Sequence, residues 1–175
     1  MLKDHTHTLP TDDSHLHIRT TTSGPMASMG HDLTLAFDWN GKLDLADTPA
    51  GSSLRVTADL RTMQIVSASG GAKPLSDNDR KQILTNGQKS LGVGKNPELT
   101  FVSTTITGTW ESGRIEGELT LHGVTAAQTF DVTADGDGFR LTGVITQSRF
   151  GIKPFSTMMG ALKLGDDVAV DAVVK

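Results

Sequence analysis

Cysteine is missing from all 175 residues, and so is tyrosine. A chain without thiols forms no disulfide, runs no thiolate chemistry, builds no cysteine metal centre and carries no lipidated bacterial N-terminus. Aromatic residues make up only 5% of the chain. That leaves few large rings to fill an interior, and too few for the girdles of an outer-membrane barrel. No stretch approaches the roughly 20 apolar residues of a membrane-spanning helix. The opening MLKDHTHTLPTDDSHLH lacks the apolar core of a signal peptide, so the chain reads as cytoplasmic. Positive charge is scarce as well. With a net charge of −4 there is no cationic field to gather phosphates, which disfavours nucleic acid as a partner.

Glycine, by contrast, is plentiful, with 19 residues against 6 prolines, as tight turns between short strands require. The clearest stretch runs from Gly113 to Phe150. Ile115, Leu119 and Leu121 share one face of its first run, and Glu116, Glu118 and His122 the other. Phe130, Val132 and Ala134 repeat the period of two, as do Phe139, Leu141 and Ile145. Such runs are strands with one face to bury, and the turns at His122-Gly123 and Asp135 to Gly138 join them into an antiparallel meander.

Earlier runs extend the sheet. His15 to Thr22 places Leu16 and Ile18 inward, with His15 and His17 outward. Asp32 to Trp39 alternates Leu33, Leu35, Phe37 and Trp39, and Asn40-Gly41 is a hairpin signal. Ser53 to Ile65 and Glu98 to Trp110 add strands, and Val168 to Val174 closes the chain. One helix is expected over about 76–86, with Ser76 as N-cap and Asp79 completing a capping box. Phe155, Met158, Met159 and Leu162 fall at the spacing of a helical turn over about 155–162. Residues 1–13 read as a flexible tail and 14–175 as one domain. A sheet this large with one apolar face curls around it, so the fold class is all-β, an antiparallel eight-stranded barrel.

At Glu118-Leu119-Thr120-Leu121-His122-Gly123-Val124-Thr125 and Phe150-Gly151-Ile152 the chain resembles the YceI-like family. Asn96-Pro97-Glu98-Leu99-Thr100-Phe101, Asp79-Arg80 and the valine-bearing run closing on Asp59 are similar to that family's segments in the same order. The resemblance implies a lipocalin-like barrel that holds a long polyisoprenoid or other amphipathic chain, and a homodimer. Ala126-Ala127 and Gln147 depart from the family pattern, at positions near the expected head-group contacts.

The inward positions would then line a ligand chamber: Leu33, Leu35, Phe37, Leu99, Phe101, Leu119, Leu121, Phe130, Ile145 and Phe150. Phe155, Met158 and Met159 form the expected gate, since methionine adapts to irregular apolar surfaces. His31, Arg149 and Lys153 are candidates for the polar head. The leading function is to bind, carry or store an isoprenoid or other amphipathic lipid, without catalysis. No cofactor is expected beyond a bound isoprenoid or quinone-like lipid, and no metal. The alternative is an enzyme acting on such a lipid with His31 and Asp32 as acid–base pair.

Overall fold

The alternating runs become the wall of a closed barrel. The computed structural model describes residues 5–175. In chain order the strands are β1 (Thr6–Leu9), β2 (His15–Thr20), β3 (Thr22–Ser23), β4 (His31–Asp44) and β5 (Ser53–Gly70). After helix α1 (Asp77–Leu91) come β6 (Glu98–Gly108), β7 (Ser112–Leu121), β8 (Val124–Asp135) and β9 (Gly138–Thr146). The chain ends with β10 (Ser156–Thr157), β11 (Leu162–Leu164) and β12 (Asp167–Val174). Eight antiparallel strands close the wall in the order β4-β2-β12-β9-β8-β7-β6-β5, with β5 pairing back onto β4. The expected eight-stranded barrel is the observed fold.

Period two decides what faces inward. On β7, Ile115, Leu119 and Leu121 are buried while Glu116 and Glu118 are exposed. Gly117 shares their inward face for a steric reason: a Cβ there would lie 2.4 Å from the Val102 carbonyl oxygen and 2.6 Å from the Phe101 ring. The turn at His122-Gly123 has φ of 57° and 74°, the left-handed pair that a two-residue hairpin needs.

The wall is not uniformly laddered. Between β8 and β9 the pairing spans Asp131–Asp135 and Gly138–Thr142. Towards the other end of β8, side chains bridge the strands. Gln128 Nε2 donates to the carbonyls of Thr129 (3.1 Å) and Val144 (2.9 Å), and Arg149 Nη2 donates to Ala127 O at 2.8 Å. Phe150, fully buried, lies in the segment that follows β9.

Four expectations need correction. Residues 6–9 are not part of a tail: β1 pairs with the second half of β4, Thr6 opposite Asp44 and Leu9 opposite Gly41, and Leu9 is among the most buried side chains. Asn40-Gly41 is not a hairpin, because β4 runs straight through it. Gly41 is needed there for closeness, since a Cβ would fall 2.8 Å from the Arg55 carbonyl oxygen. The helix begins as expected, with the Ser76–Asp79 capping box formed, but continues past Asn86-Gly87 to Leu91 and ends at Gly92 in the left-handed conformation. The segment 155–162 is not a helical turn. It holds β10, a short 3₁₀ turn over Met158–Gly160 and the start of β11, which joins β3 in a small separate sheet.

Candidate functional site

One end of the barrel is hollow. A cavity of about 680 Å³ lies where β2, β7 and β9 finish and β4, β6 and β12 begin. Its wall is aliphatic: Leu33, Leu35, Leu99, Leu121, Ile145 and Val168 each contribute. One inward position from Leu99 and Leu121 come Phe101 and Leu119, and these with Phe130 on β8 belong to the packed core. Phe101 and Phe130 meet edge to face with centroids 5.1 Å apart, and this layer floors the hollow.

Helix α1 covers the hollow. Its cap is well made: Ser76 Oγ accepts from the Asp79 N–H at 3.1 Å and the Asp79 carboxylate accepts from the Ser76 N–H at 2.9 Å. Those hydrogen bonds hold the Asp79 carboxyl below its ordinary range. Packing of the helix is looser, since none of its residues is buried. Ile83, Leu84 and Leu91 rest partly buried on Leu33, Leu35 and Met63. At Gly87 the helix lies close against the wall, since a Cβ there would fall 3.1 Å from the Met63 sulfur. Gln88 Nε2 donates to Arg61 O at 3.0 Å.

Met63 reaches the cavity because β5 slips phase. Leu60 and Met63 are both buried, which strict alternation forbids, and the register against β4 shifts between Ala36 and Asp38. Asp59 holds the irregularity in place. Its carboxylate accepts from the Arg61 N–H, Nε and Nη2, and its carbonyl from Thr62 Oγ1. The Arg61 guanidinium keeps the Asp59 carboxyl below its usual range.

The structure brings together half of the expected site. Leu33, Leu35, Phe37, Leu99, Leu121, Ile145, Phe155 and His31 all line the cavity. Phe101, Leu119, Phe130 and Phe150 pack in the core instead. Met159 is fully exposed, with φ of 57°, and the side chain of Met158 lies outside the described residues. Lys153 lines a shallow outer cleft with Met159, Lys163 and Asp166. Arg149 is engaged with the wall through Ala127. Sequence reasoning missed Leu60, Met63, Lys73 and the inner face of α1. The signal for α1 was Ile83 and Gly87, four apart on one helix face. For Met63 the bulge hid it.

His31 Nε2 stands 2.8 Å from the Lys73 carbonyl oxygen. A carbonyl only accepts, so Nε2 carries the proton. Its neighbour Asp32 accepts from the Thr22 N–H at 3.1 Å. Adjacent strand residues point to opposite faces, and both side chains are tied to backbone rather than to each other. His122 is also tied: its Nδ1 donates to Phe150 O at 3.1 Å. Among the described residues no group of three or more histidine or acidic side chains could hold a metal, and no helix is long and apolar enough to cross a membrane.

A closed antiparallel barrel with an aliphatic hollow under a helical cover defines the class of a small-molecule-binding barrel. A model of the YceI-like domain matches residues 7–175, and the chain belongs to that family. A UPF0312 protein of Staphylococcus aureus (strain MRSA252) is 30% identical over 132 residues, covering 67% of this chain and 75% of the relative. Among solved structures, BcnA of Burkholderia cenocepacia superimposes with a TM-score of 0.68 at 18% identity, covering 91% of this chain and 94% of that one. A YCEI protein of Campylobacter jejuni gives 0.60 at 20% identity, over 80% and 81% of the two chains. These two similarities concern the fold. None of these names specifies a reaction.

Proposed function

We propose that this protein binds, carries or stores an amphipathic lipid, of the isoprenoid or quinone-like kind, with the apolar chain inside the barrel and the polar head under α1. The observation that carries the reading is the hollow itself: about 680 Å³ walled by aliphatic side chains, within the size range of ligand pockets. Apolar surface left without partner atoms forfeits dispersion contacts, and an apolar chain restores them. Catalysis is not part of the reading, because His31 and Asp32 are each committed to a backbone group. Extraction of natively expressed protein followed by mass spectrometry should return a stoichiometric amphipathic lipid. Leu35→Trp, which fills the chamber, should abolish its recovery while leaving the fold intact by circular dichroism. Equal recovery from both proteins would place the lipid elsewhere and end the proposal.

A further inference from the structure

The size of the hollow and the charge at its mouth narrow the ligand. Resting on the lipid-binding reading above, we propose that the occupant is a single-chain amphiphile of about twenty carbons with one anionic head group, carboxylate or phosphate.

The length follows from volume. A methylene takes up about the same space as the ~30 Å³ share of a water molecule in the liquid. The cavity of about 680 Å³, open on one side, then holds at most a little over twenty such groups, part of that space being taken by the head. Deeper entry is blocked. Phe101 and Phe130 meet edge to face directly below the aliphatic layer, and Leu119 beside them is only 1% exposed. The Phe101 ring lies against Gly117 and the Phe130 ring against Gly143, positions where any side chain would push the rings aside. A chain much longer than the hollow has to leave its tail in water.

The head follows from the charges around the opening. Two ammonium groups, Lys73 and Lys163, line the cavity, and both residues are exposed there. Neither is in an ion pair among the described residues. Among the described residues Asp79 is the one carboxylate lining the cavity; it accepts from the Ser76 N–H and keeps its charge, which the Lys73 ammonium partly offsets. Asp166, which shares the outer cleft with Lys163, accepts from the Ser148 N–H and hydroxyl. The lining thus carries two cations against one carboxylate, an excess of one positive charge beside an apolar chamber. A single anionic group held there is attracted more strongly than in open water, because the adjoining wall is of low dielectric. The uncharged donors Gln82, Asn86 and Ser90 on α1 offer hydrogen bonds to the same group.

The test is displacement of 1-anilinonaphthalene-8-sulfonate from the full chain after organic extraction. Competitors are saturated fatty acids from about ten to about thirty carbons, the matching primary alcohols, and prenyl monophosphates of three to six isoprene units. Affinity should rise roughly three- to fourfold per added methylene, as burial of each predicts, then level off near twenty carbons. Acids or phosphates should bind about tenfold tighter than alcohols of equal length, and the double variant Lys73→Gln/Lys163→Gln should erase that preference. Either order of the two anionic heads supports the proposal and tells which source the head comes from. Affinity still climbing at thirty carbons, or acids and alcohols binding alike, would overturn it while the lipid-binding reading survived. Failure of every chain to displace the probe would end both.

Discussion

The rings of Phe101 and Phe130 meet edge to face, with planes 81° apart. That contact separates the packed part of the barrel from the hollow part. It depends on two glycines, because a Cβ on Gly117 would fall 2.6 Å from Phe101 Cζ and one on Gly143 would fall 2.6 Å from Phe130 Cδ1. Gly117→Ala should therefore destabilise the protein by about 1–3 kcal/mol through overpacking. Phe101→Ala should cost about 3–5 kcal/mol as a cavity-forming change, and it removes the floor. Denaturant midpoints of the two variants check both figures. A neutral Gly117→Ala would show that the rings are free to move.

On the outer wall Arg140 donates to Asp171 through Nε and Nη2, each at 2.8 Å. Arg19 adds a third contact at 3.2 Å. The two partners are unequally solvated: the Asp171 side chain is 6% exposed and that of Arg140 42%. Removing Arg140 leaves a nearly buried carboxylate short of its best partner, whereas removing Asp171 leaves a guanidinium that water can reach. Arg140→Met is expected to cost more than Asp171→Asn, about 3 kcal/mol against about 1–2 kcal/mol. Thermal or denaturant unfolding that ranks them in the opposite order would refute this account of the pair.

His17 on β2 sets a pH limit. Burial holds its imidazole below its ordinary value of 6.5, and the neighbouring His15 and Arg19 push the same way, against Asp171 on β12. The His15 and His17 rings are stacked with centroids 4.4 Å apart. A depressed folded-state pKa means that the unfolded chain takes up the proton first. This stability is complete above pH 6.5 and is lost as pH falls towards the folded value. His17→Gln should flatten that part of the stability curve. Asp44, Asp59 and Asp79, all held below 3.8, should leave a separate acid limb below that value in both proteins. An unchanged slope below pH 6.5 in the variant would assign the titration to another group.

Ser76 tests the cover. Its hydroxyl and the Asp79 carboxylate satisfy one another's backbone N–H groups, so Ser76→Ala should cost the helix about 1 kcal/mol. Hydrogen exchange should quicken over Asp77–Leu91 and stay unchanged in β7 and β8. Uniform quickening across the barrel would mean that α1 and the wall unfold together.

The meander from Ile115 to Ile145 was legible because one face is buried and the other wet, so each residue's polarity reports its side. The Ser76–Asp79 box was legible because its chemistry is local. Other features were not. Thr6–Leu9 carries one buried side chain, Leu9, too little for a pattern. Asn40-Gly41 has the composition of a turn, yet Gly41 serves the close approach of β5. Phe155, Met158, Met159 and Leu162 mimic a helical stripe, while the chain folds back there as β10 and β11. Within the site, alternation told inside from outside but not full from empty. Leu99 and Phe101 obey the same rule two residues apart, and only the layer they occupy in the closed barrel decides which one faces the hollow.

Every residue of the helix over the cavity keeps some contact with water, while the wall beneath it is a closed ring of eight strands. Lifting that one segment disturbs far less apolar surface than opening the cylinder. On the proposed function, exchange through the roof would leave the container standing, and the speed of loading would be a property of fifteen residues rather than of the whole molecule.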